Sequence, residues 1–318
     1  MTHPPTISII ITAFNADRFL AETLDSVLGQ TRPDWECIVV DDGSADQTRA
    51  LAQRYMEQDG RIRVVWQENR GSAAARNRGF AEIGPGTKYV TFLDSDDVWI
   101  PEALSILAAE LERCPVAIGA HGLADNIDAS GESIDEGFEE QGRMRLGYAR
   151  GSLKPSDLSE PTTFRVLAWT NRAFPPGLLL TRREYYEKAG AFEGFYRRVD
   201  DWDMVVRLSR YGDFAFVNKV IISYRRHGGN ISATHSSVAK ALRQMHHKIF
   251  FSPENTEEHK QILREGWRGL QMVHAREKWE RCKVKAAKGQ LGAAAAEFAG
   301  LYVQLHRYVR GYPTLDGI

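Results

Sequence analysis

The 318-residue sequence predicts an α/β fold: a doubly wound, mostly parallel sheet with a helical appendage at its C-terminal end. Three features predict it. Short apolar runs alternate with helical segments from Thr6 to Leu93, polar and acidic clusters stand at the ends of those runs, and the pattern beyond Asn230 is wholly helical.

Each element follows from local pattern. Ile7 to Ile11 is an apolar run of strand length. Over Ala16 to Leu28 the apolar positions Phe19, Leu20, Leu24, Val27 and Leu28 repeat at helical spacing, and Gly29 ends the helix. Cys37 to Val40 reads as the second strand, Asp46 to about Gln58 as the second helix and Ile62 to Trp66 as the third strand. A helix over Ala73 to Ala81 leads to a fourth strand, Tyr89 to Leu93. A right-handed, doubly wound unit of this kind places its ligand at the carboxyl ends of the strands. After Pro101 a helix runs to about Arg113, Val116 to Ala120 resembles a strand, and Asp125 to Pro176 turns irregular and polar. Segments that long without regular pattern are usually functional or mobile. Order returns with Leu178 to Thr181, a helix over Arg183 to Ala189, a turn at Gly190, a helix around Trp202 to Tyr211 and a strand from Ala215 to Tyr224. Helices then span Val238 to Phe250, Glu257 to about Lys288 and Gln290 to Val309, which puts the expected domain boundary near Ser236.

Composition bounds the function. With 43% hydrophobic and 26% charged residues the chain is globular, and a net charge of -1 provides no overall field for nucleic acid. Cys37, Cys114 and Cys282 are far apart and lack metal-ligand spacing, so neither a disulfide framework nor a zinc knuckle is expected. A reducing cytoplasm is the simplest compartment. The opening text MTHPPTISIIITAF has no basic flank and no small-residue cleavage site, so its apolar run reads as a strand and not as a signal peptide. No stretch approaches the roughly 20 apolar residues that cross a bilayer.

The informative residues stand where the strands end. Thr12-Ala13-Phe14-Asn15 closes the first strand, Asp41-Asp42-Gly43-Ser44 the second and Asp94-Ser95-Asp96-Asp97 the fourth. The glycine-rich turn of a dinucleotide site is absent after the first strand. Carboxylates repel phosphate, so they suit a diphosphate only where a hard cation such as Mn2+ or Mg2+ bridges the two. The Asp94-x-Asp96 spacing is equally that of an Asp/Ser turn with capping aspartates. Its place after an apolar strand, in register with Asp42, favours the metal site. Downstream, Val199-Asp200-Asp201-Trp202-Asp203 opens an apolar helix. Capping and helix-dipole effects account for one of those carboxylates, not three. Tyr224-Arg225-Arg226-His227-Gly228-Gly229-Asn230-Ile231-Ser232 follows a strand with the charge and flexibility of a lid over phosphate.

Taken in order, SIIITAFNADRFLAETLDSVLGQT, VVDDGSADQT, ENRGSAAARNRGF and YVTFLDSDDVWIP resemble the family 2 glycosyltransferases over about residues 6–230. The resemblance implies a GT-A-type fold with a Rossmann-like nucleotide-binding half over about 1–120, an acceptor half over about 121–235, and a helical region over 236–318. It implies an inverting enzyme of hexosyltransferase type that takes a sugar from a nucleotide-sugar donor, UDP by family expectation, to a hydroxyl of a saccharide or glycolipid acceptor. Thr12 and Phe14 would line the base pocket, with Phe14 meeting uracil and Asn15 beside them. Asp42 would bond the base or ribose, and Arg76 would approach the nucleotide or its phosphates. Phe14 packed in the core and Arg76 as a solvated helix charge are the plain alternatives. Asp94 and Asp96 would form the family's D-x-D pair, with Asp96 as direct ligand of Mn2+ or Mg2+. Asp201 would be the general base, with Asp200 and Trp202 beside it at the substrate; Asp200 stands where the family often has glutamate. Arg225 and Arg226 would hold the donor phosphates, and His227 would join the metal or diphosphate unless it is simply structural.

Two other functions compete. A sugar nucleotidyltransferase should open with a glycine-rich, arginine-containing loop, which Thr12 to Asn15 is not. A non-catalytic nucleotide-sugar-binding protein would not need Asp201. The basic segment Lys278 to Lys288, with Trp279 inside it, fits peripheral binding at the inner face of the membrane. Because Glu277 and Glu280 interrupt it, a solvated face or a homo-oligomer contact fits better.

Overall fold

The computed structural model describes residues 5–135, 146–149, 152–155, 160–194, 199–230 and 235–310. Ile231 and Ser232, the end of the expected lid, lie outside the described residues, as does part of the irregular middle. The first half alternates β1 (Ile7–Ala13), α1 (Leu20–Leu28), β2 (Trp35–Asp41), α2 (Thr48–Gln58), β3 (Ile62–Trp66), α3 (Ser72–Ala81) and β4 (Tyr89–Asp94). There follow β5 (Val98–Trp99), α4 (Ala103–Arg113), β6 (Gly119–Ile127), β7 (Ser133–Asp135), a hairpin of β8 (Leu146–Ala149) and β9 (Ser152–Pro155), and α5 (Phe164–Leu167). Then come β10 (Leu179–Arg182), α6 (Arg183–Ala189), α7 (Asp200–Leu208), β11 (Phe214–Arg225), α8 (His235–Phe250), α9 (Glu257–Ala287) and α10 (Leu291–Arg310).

The main sheet runs β3-β2-β1-β4-β10-β6-β11-β5, with β7 on β6. β3, β2, β1 and β4 are parallel, and β10 enters antiparallel between β4 and β6. Strand pleating sends Ile7, Ile9 and Ile11 to one face, where they meet Leu20, Leu24 and Leu107. Ile10 points to the other face, packed with Val90 and Phe92. On that side α3 lies close to β1: a Cβ at Gly79 would stand 2.3 Å from Ile10 Cγ2. The absent side chain lets α3 settle on the sheet, with Arg76 one turn earlier. Pairing register sets Thr12 opposite both Val40 and Asp94 and Ala13 opposite Asp41, so three strand ends form one edge.

Two expectations change. The strand expected over Val116 to Ala120 is β6, which starts at Gly119 and continues through the polar text to Ile127. Its polar residues are largely buried: His121 Nε2 meets Thr162 Oγ1 at 2.8 Å, while Asp125 Oδ1 and Asn126 Oδ1 have no partner among the described residues, so alternation of polarity did not reveal it. The helix expected from Trp202 starts at Asp200, with Val199 as its cap residue and no side-chain cap bond, so the acidic run occupies the first turn and caps nothing. The hydrophobic core also continues past Ser236 into the C-terminal helices. Met245 and Ile249 of α8 and Ile262 and Leu263 of α9 are buried in the same cluster as Met204 and Leu208 of α7. Among the described residues no helix is long and apolar enough to cross a membrane.

Candidate active site

The loop after β1 is pinned to the loop after β2. Asn15 takes a left-handed backbone (φ 48°), donates its N–H to Ser44 Oγ at 3.0 Å, and accepts the Ala45 N–H on Oδ1 at 2.9 Å. Phe14 is left 51% exposed at the sheet edge, which is not the setting of a core residue. Asp42 is buried and accepts three bonds: from Gln67 Nε2 at 2.7 Å, Arg70 N–H at 2.9 Å and Gly71 N–H at 2.8 Å. It thereby shapes the turn into α3, and any bond to a base or ribose would be its fourth.

Arg76 is buried, not a solvated helix charge. It joins the two acidic runs, with one nitrogen donating to the Asp200 carboxylate and the other to Asp94 Oδ1 at 3.1 Å. Burial alone would lower its pKa, but the charges of Asp200, Asp94 and Asp201 hold it above the ordinary arginine value. Asp200 is also within 3.4 Å of Ser72 Oγ. As placed, Arg76 is an internal tie between the two acidic runs. Burial, then the neighbouring charge of Asp96, raise the Asp94 pKa against the pull of Arg76.

Among the described residues Asp201 has no ion pair of its own. It is half-buried on the first turn of α7, and its Oδ2 accepts a bond from Asn171 Nδ2 at 3.2 Å. Burial and the adjacent charge of Asp200, partly offset by Arg76, push its pKa up to about 7. That value suits a group exchanging protons near neutral pH. Trp202 turns its indole N–H to the Leu167 carbonyl at 2.7 Å and its ring to His246 at 5.6 Å, so it wedges the start of α7.

The segment after β11 closes on the end of β4. His227 Nδ1 accepts the Gly229 N–H at 3.1 Å, which in a neutral ring leaves the proton on Nε2, 2.9 Å from Asp96 Oδ2. His227 as placed therefore donates to Asp96, and serving as a metal ligand would require the ring to turn or change tautomer. Asn230 Nδ2 also approaches Asp96 Oδ2, at 3.4 Å. Asp97 is fully buried; burial and the charges of Asp96 and Asp94 keep its pKa well above the carboxylate range. Its Oδ1 accepts the Arg225 N–H at 3.0 Å, and its Oδ2 has no partner among the described residues.

Arg225 departs most from expectation. Its side chain is fully buried, with Nε donating to the Asp96 carbonyl at 2.9 Å, one terminal nitrogen to the Asp128 carbonyl at 3.2 Å, and the other to Glu22. Three of its five N–H donors are so engaged and the side chain is out of contact with solvent, so in this structure Arg225 holds the loop and does not face the expected phosphate side. Arg226 is exposed and anchors the same segment through its N–H on the Ile127 carbonyl at 2.8 Å. Sequence reasoning missed the parts played by Glu22 and Ser72, and knew Asn171 only as one polar residue of an irregular stretch. Their partners lie tens to hundreds of residues away, so no local signal marks them.

Among the described residues no group of three or more His, Cys, Asp or Glu side chains is placed to hold a metal. The fit is instead that of a cation taking one or two protein carboxylates and its remaining oxygens from phosphate and water. Asp94 and Asp96 offer that donor set, and their mutual repulsion is the strain a cation would relieve.

A sequence model described as glycosyl transferase family 2 matches residues 8–190, more than half of the chain. A glycosyltransferase of Nostoc sp. with no characterised activity is 31% identical over 245 residues, covering 76% of this chain and 70% of that protein. Chondroitin synthase of Escherichia coli is 28% identical over 242 residues, 74% of this chain but only 31% of the synthase. Among solved structures, S. aureus TarS 1-349 in complex with UDP-GlcNAc aligns with a TM-score of 0.66 at 17% identity, covering 97% of this chain and 89% of that one. The mannosyltransferase PcManGT of Pyrobaculum calidifontis, in complex with GDP-Man and Mn2+, aligns with a TM-score of 0.63 at 20% identity, covering 96% and 81%. The chain belongs to glycosyl transferase family 2, and it is a glycosyltransferase built on the GT-A fold.

Proposed function

We propose that this glycosyltransferase is inverting and metal-assisted, and that it moves a sugar from a UDP-sugar to a hydroxyl of a growing polysaccharide or glycolipid with Asp201 as general base. The observation that carries the reading is Asp201 itself: half-buried, bonded through one oxygen to Asn171 and raised to about pKa 7 beside Asp200. One oxygen is steadied by the amide, and the other is left to accept the acceptor's proton. As that proton moves to Asp201, the acceptor oxygen bonds the anomeric carbon from the face opposite the diphosphate. The bond from that carbon to the diphosphate breaks, its electron pair stays on the phosphate oxygen, and configuration inverts. Asp94 and Asp96 would hold the divalent cation, which when bound neutralises charge on the departing diphosphate. Phe14, exposed beside Thr12 at the sheet edge, offers the nucleotide base a stacking surface.

UDP as the nucleotide is supported by the family resemblance and by the UDP-GlcNAc complex of TarS; Mn2+ is supported by the PcManGT complex. A polysaccharide acceptor is supported by the similarity to chondroitin synthase, of which this chain spans under a third. The reading places the reaction in the cytoplasm, at the inner face of the membrane. Family membership removes the sugar-nucleotidyltransferase alternative. The test is transfer by Asp201→Asn with UDP-sugar and Mn2+, alongside calorimetric donor binding and the anomeric configuration of the wild-type product. Donor binding kept and transfer lost is the expected result. Sustained turnover by the variant, or a product of retained configuration, overturns the assignment, and no transfer by the wild-type enzyme favours a non-catalytic binder.

A further inference from the structure

The hairpin of α9 and α10 carries an imbalance that the transfer reaction does not use. Residues 276–310 contain eight Lys and Arg against three Glu, a net charge of +5 in a chain whose total is -1, so everything else carries -6. The same hairpin holds nine of the sixteen exposed large hydrophobic side chains among the described residues. Charge surplus and exposed apolar surface thus coincide in one element.

Helical spacing arranges them into a face. On α10, Phe298, Tyr302, Leu305 and Val309 follow one another at i, i+4, i+7 and i+11, with Tyr302 71% and Val309 74% exposed. On α9, Met272, Arg276, Trp279 and Lys283 repeat the same spacing, all exposed. The two helices run antiparallel, since Cys282 meets the Ala294 carbonyl and Lys285 meets Glu297, while Lys278 packs by Gly300. On each helix the stripe is rotated in the same sense away from the residues that meet the partner helix. In an antiparallel pair, equal rotations bring both stripes to the same side. Among the described residues Lys283 pairs with Glu280, in an exposed i, i+3 contact at 2.6 Å, an interaction of little strength in water.

We propose that this face of the α9–α10 hairpin docks on the surface of an anionic lipid bilayer. A second copy of the chain is disfavoured by charge: two-fold pairing of the face would press one +5 hairpin onto another. A nucleic acid would leave Phe298, Leu305 and Val309 in water. Lipid satisfies both parts, because acidic headgroups meet Arg276 and Lys283 while the apolar stripe enters the boundary with the acyl chains. Trp279 and Tyr302 are the amphipathic aromatics that favour that boundary. The inference does not depend on the role of Asp201.

The test is flotation of the full-length protein with vesicles of neutral phosphatidylcholine and with vesicles containing about a third phosphatidylglycerol. Bound fraction should be high only on the anionic vesicles and fall steeply when salt is raised to about 0.5 M. Arg276→Glu with Lys283→Glu, and separately Phe298→Ser with Leu305→Ser, should each lower the bound fraction by about ten-fold. Thermal melting and nucleotide binding of both variants should match wild type, which separates lost docking from lost folding. No flotation on anionic vesicles, or equal flotation on both kinds, overturns the proposal. So does a dimeric mass in light scattering that becomes monomeric in the serine variant, since the face would then belong to a second copy.

Discussion

Two acidic runs meet in the cleft, and they differ in how their charge is met. At the end of β4, Asp94 shares Arg76, Asp96 receives His227 and Asn230, and Asp97 is buried against the backbone of Arg225. At the start of α7, Asp200 has Arg76 and Asp203 has Arg207 at 2.8 Å, but among the described residues Asp201 is met by the amide of Asn171 and the backbone of Trp202 and by no ion pair. Residue type is the same throughout. What separates an ion holder, a structural acid and a base is which donor reaches each carboxylate and how much water it keeps. Arg76 is the joint between the runs, since it neutralises one member of each.

The largest expected effect breaks the second run alone. Asp201→Asn should lower kcat by about 10²–10⁴-fold with little change in donor affinity, as read by initial rates and calorimetry. Arg76→Met should damage both runs together. Removing the cation of a buried pair costs about 3–5 kcal/mol, so a large fall in melting temperature should accompany lost turnover. Asp96→Ala should act on the first run only, weakening donor binding with Mn2+ present and leaving it unchanged with the metal chelated.

Smaller effects sharpen the contrast. With the Asp201 carboxyl raised to about 7, the acid limb of the wild-type rate profile should rise through that region as the base ionises. For stability the sign is opposite. The folded state holds this proton more tightly than an unfolded aspartate of pKa about 3.9, so its contribution is full below that value and is lost as pH climbs to about 7. Asp201→Asn should therefore melt higher than wild type above pH 7. Asn171→Ala, by removing one donor to the ionised base, should move the acid limb upward and lower kcat several-fold, about what one hydrogen bond to a charged group contributes. The arrangement behind Asn171 is testable as well. A Cβ at Gly269 on α9 would lie 1.8 Å from the Trp169 ring, so Gly269→Ala should cost about 1–3 kcal/mol and loosen the segment that leads to Asn171.

Much of this was legible in the order of residues. Apolar runs and helical spacing placed β1 to β4 and the helices between them, because each of those patterns is set by neighbours a few positions apart. β6 was harder, as its buried His121 is met by Thr162 and its ladder is completed by β10 and β11, all far along the chain and outside any window of sequence. The strand-end clusters also stood out, since carboxylates at the carboxyl edge of a parallel sheet are uncommon without a use. Phe14 is an exposed aromatic and Asp201 a perturbed acid, and neither condition could be read from the residues around them.

What the residues alone determined is therefore the sheet, its active edge and the chemical kinds of group gathered there. Tertiary structure alone decided how those groups share charge. It buried Arg225 against Glu22, Asp96 and Asp128, turned Arg76 inward to Asp94 and Asp200, and left Asp201 to an amide. The reason is physical: a carboxylate's protonation and partners depend on distances and burial, and packing sets both between residues more than a hundred positions apart.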